Sequence, residues 1–383
     1  MTDFNEDNNE FEIVPDNQQE TEEDLNNKAI SFKDAVVMNA DWTIETIDMQ
    51  INKGNIDLQP GFQRRVAWDD VRKSRLIESI IVGMPVPNIV LAENKDHRGR
   101  FIVIDGKQRL VAINDFLKGS YKLKGLDIRD DLNEASYDDL PAEDKEYLDN
   151  STLRSTVIKN WRDENFLYAI FYRLNSGSLP LSPQELRKAL IGGNLLDEIE
   201  KYLLESEAFK SIFGEKLDKR MRDSELVLRF IAYDKNFVEY RGDFKEFLDE
   251  TTRYFETNWG DRKKELQESL ARLDVSLSTA LHIFGRDAFK KWLGEKYERV
   301  INRAIFDAIA RFFADEEVAK KAIERREDVI AVYHKICSNR EFLDAIEKTP
   351  KTVAATFNRV ELWGRELGNT IQMEYRPDSY RLV

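Results

Sequence analysis

Residues 101–110 read Phe-Ile-Val-Ile-Asp-Gly-Lys-Gln-Arg-Leu, and this stretch decides the fold of the first half of the chain. Its four apolar residues predict a buried strand, and the Asp105-Gly106 pair that follows predicts a tight turn. Apolar residues then recur at helical spacing as far as Leu117, and Lys118-Gly119 ends the predicted helix. A strand, a glycine turn and a helix in this order direct backbone N–H groups and the positive end of a helix dipole at an anion.

The sequence around this stretch predicts further α/β structure. Residues 88–91 and 101–104 are short apolar runs joined by the polar loop 93–100, so we expect a β-hairpin with a long turn. Another helix is predicted after Asp69, a typical N-cap residue, and it ends before Pro85. The remaining predicted elements are a helix at 42–53, an extended segment at 55–58, a strand at 155–159 and a helix at 163–174.

The second half of the chain has a helical pattern from Ser182 to about residue 370. Proline is absent between Pro183 and Pro350, which favours uninterrupted helices. The apolar residues of 300–313 repeat at helical spacing and predict one face turned towards a helical core. The sequence therefore predicts an α+β protein with three parts, which are an acidic tail at 1–29, an α/β domain at 30–180 and a helical domain at 181–383.

Composition excludes several classes of protein. The chain has 383 residues, of which 42% are hydrophobic and 34% charged, as in globular proteins. The formal net charge is −14, and residues 1–28 supply −9 of it through ten acidic residues against Lys28. This balance disfavours broad, non-specific binding of nucleic acid, although the rest of the chain is only weakly acidic.

The sequence also indicates where in the cell the protein is located. The single cysteine, Cys337, excludes an internal disulfide, and we expect it to be a small core residue. No apolar run is long enough to span a bilayer, and the acidic N-terminus lacks the pattern of a signal peptide. We therefore expect a cytoplasmic protein with no membrane partner.

The side chains of the Asp-Gly turn are suited to phosphate chemistry. Gly106 allows a ligand to approach the backbone closely, and Arg109 offers a planar fork that matches phosphate oxygens. Gln108 adds a neutral donor and acceptor, while Asp105 is suited to hold Mg²⁺ or to orient a water molecule. A surface turn with an exposed arginine explains the same residues without a ligand. The pattern is not a Walker A loop, which occurs nowhere in the sequence.

A second polar segment precedes the helix predicted after Asp69. It places Gln63-Arg64, another arginine and Trp68 just before a helix that starts with Arg72-Lys73-Ser74-Arg75. Cations in the first turns of a helix oppose the helix dipole, and a bound anion would explain their presence.

A third polar segment follows the helix predicted at 163–174. Ser182 and Glu185 have the spacing of a capping box, with Pro183 at the first helical position, so these residues have a structural explanation. Asn175 and Arg187 have no such explanation and are candidates for a ligand site.

Together, these segments resemble the N-terminal domain of GmrSD-type restriction endonucleases and of the SspE-type phage-defence nickase. The shared motifs are Gln63-Arg64 with Trp68, Lys73-Ser74-Arg75-Leu76-Ile77-Glu78-Ser79-Ile80, Pro85-Val86-Pro87, Asp105-Gly106-Lys107-Gln108-Arg109, Arg173-Leu174-Asn175-Ser176-Gly177 and the Leu-Ser-x-x-Glu-Leu-Arg pattern at 181–187. They cover about residues 40–240 in the order of the family. That family is similar to the ParB/sulfiredoxin fold, a small α/β nucleotide-binding module.

The resemblance implies NTP binding with Mg²⁺ by the domain at 30–180. By this resemblance, Asp105, Gln108 and Arg109 contact the phosphates or drive hydrolysis. The implied nucleotide-binding residues are Gln63, Arg64, Lys73, Ser74, Gly106, Lys107, Asn175 and Arg187, and the implied Mg²⁺ ligands are Asp105 and Asn175. The family has glutamine where this chain has Lys107. A lysine that faces solvent changes nothing, whereas one that faces the phosphates adds a charge and favours binding over turnover.

Longer relatives often continue into an HNH nuclease domain, whose chemistry needs a general-base histidine and metal ligands. This chain has three histidines, His97, His282 and His334, without a paired-histidine motif, so we expect no HNH nuclease. Two interpretations remain. In the first, the protein is an NTPase or NTP-gated sensor of a restriction-type anti-phage defence system and acts with DNA or a separate nuclease partner. In the second, the same fold is a non-enzymatic adaptor that binds nucleic acid or protein.

Overall fold

The computed structural model describes most of the chain, in two compact units. One unit ends at Leu190, and the other contains Ile191–Val383. The described residues are 35–58, 68–95, 97–162, 164–174, 182–191, 193–218, 220–348 and 350–383. The predicted acidic tail at 1–29 lies outside them.

A mixed five-stranded sheet forms the centre of the first unit. Its strands are β1 (Val36–Thr43), β2 (Ile56–Asp57), β3 (Ile89–Glu93), β4 (Phe101–Asp105) and β5 (Thr152–Lys159). Their order is β1-β5-β3-β4-β2, with β1 antiparallel to β5, β5 parallel to β3, and β4 parallel to β2. β3 and β4 pair antiparallel, which confirms the predicted hairpin. The carboxyl end of β4 is where Asp105 leads into the Asp-Gly turn.

Helices cover both faces of this sheet. They are α1 (Ile44–Asn52), α2 (Asp70–Ile81), α3 (Lys107–Leu117), α4 (Ala142–Asn150), α5 (Glu164–Leu174) and α6 (Pro183–Ile191). Side chains alternate between the faces of a strand, so Ile89, Leu91 and Val103 pack with α1 to α4. Ile102 and Ile104 point the other way and pack with α5. The result is a sheet with a helical layer on each face.

The predicted helix after Asp69 is confirmed and has the expected cap. The Asp69 carboxylate accepts a hydrogen bond from the Arg72 backbone N–H at 2.8 Å, which satisfies one of the free N–H groups at the start of α2. Apolar residues of α2 are buried on one side, among them Ile77, which has no exposed surface. Local pattern and capping chemistry therefore account for this helix.

Two elements of the first unit were not predicted. β1 lies at the edge of the sheet, and most of its residues are exposed, so it lacks the apolar alternation that identifies a strand. α4 is short and acidic at its start, and Leu148 is its only buried residue. Neither pattern differs enough from that of a polar loop to be recognised.

The second unit is helical. Its helices are α7 (Asn194–Glu205), α8 (Glu207–Phe213), α9 (Arg222–Asn236), α10 (Phe244–Thr257), α11 (Trp259–Phe284), α12 (Arg303–Phe313), α13 (Glu316–Glu324), α14 (Arg326–Ile336), α15 (Arg340–Glu347) and α16 (Val353–Ile371). A two-stranded ribbon of β6 (Tyr375–Arg376) and β7 (Arg381–Leu382) follows. The prediction of a helical domain did not include this ribbon. Cys337 is buried, as expected.

α12 differs from the amphipathic helix predicted at 300–313. All of its residues are buried, including the charged residues Arg303, Asp307 and Arg311. Asp307 accepts two hydrogen bonds from Arg229, at 3.1 and 2.6 Å, and one from Arg359 at 3.1 Å. Ion pairs compensate Arg303 and Asp307, and backbone carbonyls accept from Arg311, so a helix with a polar side can be buried on every face.

The described helices include none that combines the length and the apolar character needed to cross a membrane.

Candidate functional site

The Asp-Gly turn joins β4 to α3 and depends on glycine at its second position. Gly106 has φ 93° and ψ 10°, in the left-handed region that residues with a Cβ atom rarely adopt. A Cβ atom at this position would lie only 2.5 Å from Cγ2 of Ile89. Both the backbone conformation and the close approach of β3 therefore require glycine. The turn places the N-terminus of α3 beside the first residues of β3.

Arg109 is held in one orientation by two acceptors. Its Nη2 atom donates to Oδ2 of Asp105 at 2.7 Å and to the backbone carbonyl of Asn88 at 2.9 Å. The side chains of Arg109 and Asp105 are 12% and 25% exposed, so the pair lies at the edge of the solvent. Two of the three residues predicted to be catalytic, Asp105 and Arg109, are thus in direct contact.

Several buried polar atoms at the turn and on α6 lack a hydrogen-bond partner within the described part of the chain. They are Oε1 of Gln108, Nε of Arg109 and Nε2 of Gln184. Gln184 itself is only 1% exposed. A buried polar atom without a partner costs about 1–3 kcal/mol, so these atoms mark a place suited to a polar ligand. Donors and an acceptor are both present, as a hydrated phosphate group requires.

Lys107 is only partly exposed to solvent. Burial lowers the pKa of its ammonium group to about 8, against the opposing effect of the Glu185 and Asp57 carboxylates, and Lys188 lowers the pKa further. These electrostatic neighbours show that the start of α6 and the end of β2 lie close to the start of α3. Of the two alternatives for Lys107, a fully solvated side chain fits these surroundings less well than one that lies in the polar cluster. The residue lies within the polar cluster at the N-terminus of α3.

The beginning of α6 is organised by the predicted capping box. The Glu185 backbone N–H donates to the Ser182 hydroxyl at 3.1 Å, and the Ser182 N–H donates to the Glu185 carboxylate at 2.6 Å. Pro183 is the first helical residue, as predicted. Arg187 is completely buried, and its Nη1 atom donates to Oε1 of Gln184 at 2.5 Å. This contact fixes the Gln184 amide, whose nitrogen has no partner among the described residues.

Lys73 and Ser74 lie away from the turn. Lys73 pairs with Asp115 at 2.8 Å, and Asp115 is six residues beyond Arg109, or about 9 Å along the axis of α3. The Ser74 hydroxyl donates to the Asp70 carbonyl at 2.6 Å and accepts from the Lys124 N–H at 3.0 Å. These contacts give both side chains a role within the fold. The start of α2 and the Asp-Gly turn are at opposite ends of α3.

The cations at the start of α2 were explained above by a bound anion, and the structure supplies a different explanation. Lys73 faces the Asp115 carboxylate, and Arg75 pairs with Asp127 at 3.1 Å. Carboxylates of neighbouring segments therefore offset the unfavourable interaction of these cations with the positive end of the helix dipole. For Lys73 and Arg75, these ion pairs are a structural alternative to a bound anion.

Three predicted site residues lie outside the described residues. They are Gln63, Arg64 and Asn175. Their predicted roles in binding the nucleotide and Mg²⁺ stay predictions. Within the described ranges, no group of three or more histidine, cysteine, aspartate or glutamate side chains is arranged to hold a metal ion.

The histidines have separate surroundings. His97 is exposed in the hairpin loop, as predicted. His334 contacts the Tyr297 hydroxyl at 2.8 Å through Nε2 and stacks on the Trp292 ring at 3.9 Å between centroids. Burial lowers the pKa of His334, which favours the neutral ring in this aromatic cluster.

Sequence reasoning missed five residues of the site. They are Asp57, Asn88, Gln184, Glu185 in its role beside Lys107, and Lys188. Asn88 directly follows the Pro85-Val86-Pro87 motif, which was a usable signal. It contributes through its backbone carbonyl, so its side-chain type carries no information. Asp57 and Lys188 give no sequence signal, because only the tertiary fold brings β2 and α6 to the turn.

A groove of about 630 Å³ is lined in part by the segment that precedes β3. Asn88 is one of its lining residues and connects it to Arg109 through the carbonyl contact. The other walls come from α2, α4 and the start of β5, and they include Met84, Tyr147 and Thr152. Aromatic, apolar and amide groups in one open groove are suited to a flat, polar ring.

Comparison with known proteins shows a similarity within the first unit. A search of curated proteins finds no match. Residues 44–192, however, match the family of the N-terminal domain of the GmrSD restriction endonuclease. The match spans β2 to β5 and α1 to α6, and so includes the Asp-Gly turn and its neighbours. This segment of the chain is therefore similar to the GmrSD N-terminal domain.

Proposed function

We propose that the first unit binds an NTP at the Asp-Gly turn and hydrolyses it, as one component of a restriction-type defence system. The arrangement of Arg109 is the observation that carries this proposal. Asp105 and the Asn88 carbonyl orient its guanidinium at the N-terminus of α3, and its Nε atom has no partner among the described residues. A fixed arginine at the positive end of a helix is suited to phosphate oxygens. The family match supports the defence role.

Each residue of the turn would have a distinct part in this reaction. The backbone around Gly106 and the Arg109 guanidinium bind the phosphates and compensate their charge. Oδ2 of Asp105 accepts from Arg109, which leaves Oδ1 for a water molecule or a cation. The Gln108 Oε1 atom can accept a hydrogen bond from the attacking water. Water then adds to the terminal phosphorus, the bond to the bridging oxygen breaks, and NDP, inorganic phosphate and a proton are released.

Mg²⁺ is the expected cofactor, held by Asp105 and, by resemblance, Asn175. One or two protein ligands beside phosphate oxygens are typical of Mg²⁺ sites, and bound Mg²⁺ would neutralise charge on the phosphates. The oxygen ligand that Asp105 offers fits this metal. The groove that begins at Asn88 would hold the nucleoside, with Tyr147 beside the base.

Calorimetric titration with each of the four NTPs and Mg²⁺, with phosphate release followed in parallel, tests this proposal. We expect binding in the wild type, loss of binding in Arg109→Ala, and loss of turnover with retained binding in Asp105→Ala. Arg75→Ala and Asp127→Ala are matched controls, because they break another aspartate–arginine pair of the same unit, with side chains 53% and 67% exposed. Both controls should keep binding and turnover.

Other results would change the proposal in defined ways. Tight binding without turnover would indicate an NTP-gated switch, and Lys107→Gln would then be tested for restored turnover. Failure of all four NTPs to bind at millimolar concentration would contradict the proposal. It would favour instead a non-enzymatic adaptor that binds nucleic acid or protein, with DNA or a nuclease as partner.

A further inference from the structure

Gln184 lies at the start of α6, beside the part of this helix that approaches the Asp-Gly turn. The Lys107 ammonium at the start of α3 interacts electrostatically with the Glu185 carboxylate and with the Lys188 ammonium. Positions 184 and 188 are neighbours on the surface of a helix, because they are four residues apart. Gln184 therefore borders the side of α6 that faces Lys107.

Arg187 determines which way the Gln184 amide points. Its Nη1 atom donates to Oε1 of Gln184 at 2.5 Å. A guanidinium has only N–H donors, so it can bind the amide oxygen but not the amide nitrogen. Gln184 is 1% exposed and Arg187 is completely buried. A flipped amide would place N–H groups against N–H groups inside the protein, so Nε2 of Gln184 points away from Arg187.

The amide nitrogen of Gln184 is a buried donor without an acceptor. Within the described ranges it makes no hydrogen bond, and the same holds for Nε of Arg109 at the Asp-Gly turn. A buried donor without an acceptor destabilises the fold, so it calls for an explanation. Both atoms can only donate. A ligand that satisfies them must therefore present acceptor oxygens.

The contact with Arg187 does not by itself explain a glutamine at position 184. A glutamate would accept from the same guanidinium through a charge-assisted hydrogen bond, and it has no donor to leave unpartnered. The property that glutamine adds is the N–H₂ group. This group is the part of the side chain that a ligand can use.

We propose that the Gln184 amide nitrogen donates a hydrogen bond to a phosphate oxygen of the nucleotide, and that Arg187 positions this amide without touching the ligand. The inference rests on the proposed NTP site and names a further contact in it. Phosphate is the acceptor because the neighbouring start of α3, with Lys107 and Arg109, is where the proposed site binds phosphates. The resemblance to known proteins implies direct binding by Arg187, whereas its burial and its bond to Gln184 give it a positioning role.

Calorimetry with the full chain and the Gln184→Glu variant tests this proposal. The ligands are inorganic tripolyphosphate and each of the four NTPs, all with Mg²⁺. Gln184→Glu keeps an acceptor for Arg187 but replaces the donor with a carboxylate oxygen, which repels phosphate. It should bind both kinds of ligand about tenfold or more weakly than wild type. Its unfolding midpoint should equal or exceed that of wild type, and a lower midpoint would contradict the orientation of the amide.

Gln50→Glu is the matched control. The Gln50 side-chain oxygen accepts from the Asn55 amide at 2.7 Å in the same unit, so the change keeps an acceptor and adds a negative charge in the same way. This control should bind tripolyphosphate and NTP like wild type. Equal weakening in the two variants would show a general effect of added charge and would overturn the proposal.

The two kinds of ligand separate phosphate from nucleoside contacts. If Gln184→Glu bound NTP weakly but tripolyphosphate like wild type, the contact would be with the nucleoside, and the phosphate assignment would be wrong. If Gln184→Glu bound both like wild type while Arg109→Ala bound neither, this inference would fail and the proposed NTP site would stand. Binding of neither ligand by wild type would overturn both proposals.

The positioning role of Arg187 is tested by two further variants, each titrated well below its own unfolding midpoint. Arg187→Met has no donor for the Gln184 oxygen, so the amide can turn, and tripolyphosphate should bind about threefold or more weakly. Arg187→Lys offers a donor again and should restore the affinity. Wild-type affinity in Arg187→Met would contradict the positioning role. An equal loss in Arg187→Lys would also contradict it and would indicate that the guanidinium contacts the phosphates directly.

Discussion

Each unit of the molecule contains an aspartate that binds arginine, and the two aspartates are used differently. Asp307 on α12 is 1% exposed, and both of its oxygens accept from Arg229 or Arg359. Asp105 at the end of β4 is 25% exposed and accepts from Arg109 through one oxygen only. A buried carboxylate with both oxygens bound stabilises the fold. A partly exposed carboxylate that orients an arginine at a helix N-terminus is suited to a ligand.

The largest expected effect concerns the buried cluster. Asp307→Ala leaves Arg229 and Arg359 without their shared carboxylate inside the helical unit, so we expect a loss of about 3–5 kcal/mol in the free energy of unfolding. Denaturant unfolding followed by circular dichroism measures this loss. Asp127→Ala, which breaks an exposed pair, should cost at most about 1 kcal/mol. A loss of less than about 1 kcal/mol in Asp307→Ala would contradict the distinction between Asp307 and Asp105.

The second effect comes from Lys107 and depends on pH. Burial lowers the pKa of this ammonium to about 8 in the folded state, below its value in the unfolded chain. The unfolded chain therefore binds more protons between about pH 8 and 10.5, and wild type should gain stability relative to Lys107→Gln as pH rises through this window. The gain should be on the order of 1–3 kcal/mol.

Unfolding midpoints of the two proteins, compared at intervals from pH 7 to 10.5, measure the effect of Lys107. Lys53→Gln, an exposed lysine at the end of α1, is the control and should run parallel to wild type. A constant difference between wild type and Lys107→Gln across the window would show that Lys107 is solvated.

The smallest expected effect on stability is that of Asp105→Asn. The Asp105–Arg109 pair reaches solvent, so its loss should change the free energy of unfolding by less than about 1 kcal/mol. Turnover of NTP should nevertheless be lost, because the amide cannot replace the carboxylate. A large loss of stability, comparable with that of Asp307→Ala, would show that Asp105 is a structural residue like its counterpart on α12.

Much of the first unit could be predicted from local sequence. The hairpin, the Asp-Gly turn, the cap at Asp69 and the capping box at Ser182 depend on neighbouring residues, and each has the predicted form. The predicted α+β class is also confirmed, because most helices and strands follow from such local patterns. Elements that depend on tertiary context were missed, and β1 is the clearest case.

The site was predictable only in its central motif. The order Asp105, Gly106, Lys107, Gln108, Arg109 identified the turn, because these residues are adjacent in the chain. The placement of Lys73 beside Asp115 was not predictable, since it depends on how α2 and α3 pack. The buried charges of α12 were missed because a periodicity argument assumes that charged residues face water.

One measurement tests most directly whether Arg109 is held for a ligand. It is the increase in unfolding stability that an NTP with Mg²⁺ produces in wild type, Arg109→Ala and the control Arg75→Ala. At a free NTP concentration of one hundred times the dissociation constant, wild type and control should gain about 2.7 kcal/mol, and Arg109→Ala should gain nothing. An equal gain in all three proteins, or none in wild type, would contradict the assignment of the turn as the nucleotide site.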